Sequence, residues 1–133
     1  MKIRMNTNRN IKTLLAAGIL CGGLGVPILA TADDVPLSYV ADPTVYKLLA
    51  ENELFRVVLA TWKPGQRDTY HSHSANAAYR LGDCKVRAYG PDGKMTFEGD
   101  TKAGTVNLQK QIPSHSVENI SPKECQVLIV ERK

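Results

Sequence analysis

No acidic residue stands before Asp33, whereas Lys2, Arg4, Arg9 and Lys12 all do. The run from Ile11 to Ala30 that follows these charges is apolar, but four glycines and a proline make it a poor spanning helix. It closes on Ala30-Thr31-Ala32. A basic start, a short apolar stretch and an A-x-A ending describe a secretory signal peptide, so cleavage is expected after Ala32, with delivery to the periplasm or beyond. The alternative is an uncleaved membrane anchor. Leu20 occupies the position before Cys21 where lipoprotein processing requires a small residue.

Other absences narrow the function. Of 17 basic and 13 acidic residues, the four before Asp33 are all basic, which leaves 13 of each in the mature chain. That chain is near neutral, so the basic character belongs to the leader and gives no argument for a nucleic-acid partner. Aromatics make up only 6% of the sequence and do not interleave with a basic stripe. There is no Gly-rich phosphate loop, no nucleophile elbow and no sustained 3.6-residue period after Asp33. Cysteine is scarce too. Once Cys21 leaves with the leader, Cys84 and Cys125 remain as an even pair in an oxidising compartment, either bonded or as two buried thiols. The 101 residues from Asp33 to Lys133 suffice for one small domain and carry no membrane span.

What remains reads as strands and turns. An irregular arm covers residues 33–44, with Pro36 and Pro43. Val45 to Ala50 is a helical turn or a first strand. Leu54 to Trp62 is β-branched and aromatic and ends at the turn Lys63-Pro64-Gly65. Ala77 to Leu81, Lys85 to Tyr89, Lys94 to Glu98, Thr105 to Gln109 and Gln126 to Glu131 are further short runs, with Gly90-Pro91-Asp92-Gly93 and Gly99-Asp100 as breaks. Short strands at this spacing predict an all-β sandwich or barrel over residues 45–133.

All three histidines fall in this part of the chain. His71 and His73 are two apart, which on a strand places both on one face. His115 follows Pro113-Ser114, where a strand resumes. Neutral imidazole is the commonest ligand for borderline divalent metals. The surrounding spacing resembles the cupin family. Gly65, five residues, His71-Ser72-His73, three residues, Ala77, six residues and Cys84 follow that family's first motif. Gly104, His115 and Asn119 keep the intervals of the second. Two positions depart from the pattern: Ala77 stands where a Glu ligand is usual, and Cys84 where a Gly is usual.

The resemblance implies a jelly-roll β-barrel and one divalent transition metal (Fe, Mn, Ni, Cu or Zn) on His71, His73 and His115. It also implies a bond between Cys84 and Cys125, since jelly-roll pairing brings their two turns together. A three-histidine centre would leave room for dioxygenase or isomerase chemistry on a small molecule. The alternatives are a non-catalytic ligand-binding barrel and a structural module. With Ala77 facing inward, alternation turns Tyr79 and Leu81 in and Arg80 out, and makes Tyr79 the candidate catalytic assistant. Asn119 reads as a structural hydrogen-bonder, Trp62 and Tyr70 as packing residues, Arg67-Asp68 as a solvated loop pair, and Gln109 and Gln111 as polar lining. Cupin barrels pair through their sheets, which implies a homodimer.

Overall fold

In a computed structural model, residues 34–133 are described, and the expected leader with its expected cleavage site and Cys21 lies outside them. One helical turn, α1 (Ser38–Ala41), interrupts the arm that the sequence suggests is irregular. Nine strands follow: β1 (Tyr46–Glu51), β2 (Phe55–Trp62), β3 (His71–His73), β4 (Asn76–Arg80), β5 (Cys84–Tyr89), β6 (Met95–Thr101), β7 (Val106–Gln109), β8 (Ile112–Asn119) and β9 (Cys125–Arg132). They form a five-stranded sheet in the order β1-β2-β9-β4-β7 and a four-stranded sheet in the order β3-β8-β5-β6. Every pairing between these nine strands is antiparallel, as the all-β jelly-roll expectation requires. β6 runs on through Gly99-Asp100, where a break is expected, because Gly99 pairs with Val86 and Asp100 with Lys85 in the ladder. Gly65 and Gly104, the glycines that open the two motifs, have φ of 74° and 77°, a conformation that disfavours any side chain.

Alternation along the strands sorts the interior into layers. β2 turns Arg56, Val58, Ala60 and Trp62 inward, and β9 turns Cys125, Val127, Ile129 and Glu131 inward. Their register pairs Trp62 with Cys125, Ala60 with Val127, Val58 with Ile129 and Arg56 with Glu131. The first three pairs are core, closed from the other sheet by Val86 and Val117. Burying each larger apolar side chain here stabilises the fold by roughly 1.5–3 kcal/mol. The fourth pair opens a polar layer, continued on β4 by Asn76 opposite Glu131. Cys84 and Cys125, at the starts of β5 and β9, are disulfide-bonded with Cα atoms 5.7 Å apart, which joins the two sheets.

On β4 the structure reverses the expected facing. Asn76 and Ala78 are buried, whereas Tyr79 is 42% and Leu81 46% exposed, and the Arg80 side chain reaches the interior. The chain leaves strand geometry at Ser74-Ala75 and re-enters β4 one residue out of phase with β3. A slip of one residue moves a whole strand's side chains to the other face. Ala78, with four residues between it and His73, is therefore the pocket-facing position, not Ala77.

Candidate metal centre

β3 and β8 bring the three histidines together, because His71 pairs directly with His115 across the ladder. One ring nitrogen from each of His71, His73 and His115 lies within 4.8 Å of the other two. Hydrogen bonds on the far side of two rings fix their tautomers. His71 Nδ1 lies 2.8 Å from the Thr69 carbonyl oxygen, which can only accept, so Nδ1 carries the proton. His73 Nδ1 lies 2.5 Å from Glu131 Oε1 and donates to it in the same way. Both Nε2 atoms then present bare lone pairs, and they lie 2.9 Å apart. Two lone pairs at that distance repel unless a cation lies between them. Nitrogens bound to one ion at about 2.1 Å sit roughly 3 Å apart when they are cis to each other. His115 Nε2 is buried with no hydrogen-bond partner among the described residues. Donor type, spacing, tautomers and the unpartnered nitrogen all fit a single metal ion.

Burial keeps the His71 and His115 rings uncharged. His115 is driven down to about 3, by desolvation first and then by His71 and His73 beside it. Desolvation also lowers His71, against the opposing pull of Asp68. Neutral imidazole is the form a metal needs.

The residues that hold this cluster are ones the sequence reading passed over. Asp68, read as a solvated loop residue, is buried. Its Oδ2 accepts from the Tyr46 hydroxyl at 2.7 Å and from Trp62 Nε1 at 2.9 Å, and its Oδ1 accepts from the Val117 amide at 2.7 Å. A carboxylate can stay inside a small domain only when its lone pairs are met in this way. The Tyr46 oxygen lies 3.1 Å from His71 Nε2. Burial, reinforced by Asp68, raises the Tyr46 phenol well above its usual value, so it stays protonated. Glu131 is fully buried, with Arg56 Nη1 3.6 Å from its second oxygen. Asn119 is the structural hydrogen-bonder expected, donating to the carbonyls of Trp62, Lys63 and Lys123. Arg67 stacks 3.6 Å over the Tyr89 ring and donates to Ser116 and Tyr70.

His73 and His115 open onto a cavity of about 290 Å³ inside the barrel. Val86, Val127 and Ile129 form apolar wall, Cys84 and Cys125 contribute the staple, and Arg80, Asn107 and Gln109 are polar lining. Gln111 is exposed instead. Tyr79, the expected assistant, lies on the outer face and does not line the cavity, for the reason of phase given above.

Neither a protein-family model nor a curated protein sequence matches the chain. Solved structures do. A cupin domain from Bordetella pertussis superposes with a TM-score of 0.60 at 20% identity, covering 67% of this chain and 92% of that one. An RmlC-like cupin with a double-stranded β-helix fold from Methanocaldococcus jannaschii gives 0.52 at 12%, over 66% and 78%. A double-stranded β-helix protein from Klebsiella pneumoniae gives 0.52 at 18%, over 66% and 75%. The chain therefore has the fold of a small RmlC-like cupin domain.

Proposed function

We propose that the chain is an exported cupin, with a leader at 1–32, an arm at 33–44 and a barrel at 45–133. In this reading His71, His73 and His115 hold one divalent first-row metal facing a small-molecule cavity. The observation that carries it is the pair of bare Nε2 atoms 2.9 Å apart, each fixed by an acceptor behind its ring. The disulfide supports export, since such bonds persist in oxidising compartments. No helix among the described residues is long and apolar enough to cross a membrane.

A three-histidine ion with open positions supplies Lewis acidity or, if it is iron, copper or nickel, a redox centre for oxygenase chemistry. The chain's own part is narrower. Thr69 and Glu131 orient two rings, and the apolar walls exclude water. Asp68 Oδ2 holds the Tyr46 hydroxyl proton next to the cluster. A dioxygenase or isomerase acting on a small molecule is the reading this arrangement serves best. The second reading, a ligand-binding barrel without turnover, is favoured by Ala78 and by the lack of any carboxylate in the cavity lining.

The test is the metal content of the secreted protein purified without chelator, beside His115→Ala. Near-stoichiometric metal in the first and loss in the second is expected. No metal in either, even after reconstitution, would end the metal reading.

The outer face of the five-stranded sheet supports a homodimer. Val106, Leu108, Tyr79 and Val130 are all exposed there, Leu108 by 84%, and strand pairing sets them side by side. Light scattering should give twice the chain mass for the wild type and a monomer for Leu108→Glu; a wild-type monomer at tens of micromolar would refute the pairing.

A further inference from the structure

We propose that the ligand of this cavity carries a carboxylate, and that Arg80 is the residue that binds it. The inference rests on the cavity being the ligand site, but not on the metal. Arg80 ends β4, and its backbone is tied on both sides. Its amide donates to the Thr105 carbonyl, and its own carbonyl accepts from the Gly104 amide. From this fixed position the side chain enters the barrel cavity. Among the described residues the guanidinium makes no hydrogen bond and no ion pair, and its Nε is buried without a partner. Arg56, which also reaches inward, has a counter-charge in Glu131 at 3.6 Å, although its Nε and Nη1 make no hydrogen bond among the described residues. The exposed Arg67 has Ser116, Tyr70 and the face of Tyr89.

Among the described residues no Asp or Glu lines the cavity, so Arg80 meets no counter-charge there. Its polar neighbours, Asn107, Gln109 and Thr101, are neutral. Guanidinium stays charged in proteins, and leaving its Nε cut off from water without a partner is costly. A carboxylate matches the guanidinium fork with two parallel hydrogen bonds and is the economical partner for that place. Size narrows the class further. About 290 Å³ is at the small end of ligand pockets. Arg80 lies two positions past Ala78, roughly 7 Å along the strand by its usual rise. The ligand is therefore a compact monocarboxylate, with its charged end at Arg80 and its body along Val86 and Val127 toward His115.

The experiment is calorimetric titration of the secreted chain, stripped of metal with chelator so that no ion can bind the carboxylate. The probes are benzoate and acetate against the matched neutral amides, benzamide and acetamide. Each carboxylate is expected to bind roughly tenfold or more tightly than its amide. Arg80→Gln should erase that preference, and Arg80→Lys should keep part of it. Equal affinity for acid and amide, no saturable binding of either carboxylate, or an unchanged preference in Arg80→Gln would overturn the assignment. Thermal melts check that each variant folds; if Arg80→Gln does not, the acid-to-amide ratio of the wild type and Arg80→Lys decides. A protein that takes up no metal, as purified or after reconstitution, yet keeps the Arg80-dependent preference would end the metal reading and leave this one. Bound metal without the preference would do the reverse.

Discussion

Glu131 bears on the candidate metal centre through His73. By accepting from Nδ1 it sets the tautomer, aims Nε2 at the cluster and makes the ring a better donor. Glu131→Gln keeps an acceptor of the same shape but removes the charge. Metal affinity should fall by about 10–100-fold while the fold survives, measured by competition with a coloured chelator; an unchanged affinity would mean that the carboxylate does not tune the site. The sequence showed the histidines because His71 and His73 share a strand face and His115 keeps a motif interval. Glu131 was legible as well, since Val127, Ile129 and Glu131 alternate on one face, and only its charge argued against burial. Asp68 was not legible. Its partners Tyr46, Trp62 and Val117 come from three separate strands, and no local pattern marks a carboxylate that meets its donors only after the barrel closes.

Strands were the easiest elements to read, because period-two alternation and turn residues mark them directly. Leu54 to Trp62 and Gln126 to Glu131 became β2 and β9 with shifts of a residue or two at their ends. Phase was harder. One additional residue between β3 and β4 put Ala78 and Arg80 inside and Tyr79 outside, and composition carries no trace of that count. The β5–β9 staple was anticipated from the pairing of their turns. It closes a loop across a sequence separation of 41. Replacing both Cys84 and Cys125 by Ala should lower stability by about 2–4 kcal/mol, read as a fall in the urea midpoint. A midpoint unchanged by the double replacement would show that the packed sheets alone hold that end of the barrel.

At the scale of the molecule, the buried histidines link stability to pH. His71 and His115 titrate lower in the folded chain than the ordinary histidine value of 6.5. The unfolded chain therefore takes up protons first as pH falls, and stability present above about 6.5 is lost on the way toward 3. Metal-free protein should unfold at a lower urea concentration at pH 4.5 than at pH 7.5. An equal or higher midpoint in acid would contradict the neutral, desolvated state assigned to these rings.

β9 is the last strand to leave the ribosome, yet it is the middle strand of its sheet, flanked by β2 and β4. It also carries Cys125 and Glu131, so a growing chain that has only reached Glu124 holds all three histidines but neither the staple nor the acceptor behind His73. The two halves of the five-stranded sheet have nothing to join them until then. Assembly is in this way back-loaded in time. Nearly the whole barrel must be made before any of it can close, which makes the candidate metal site one of its last features to form.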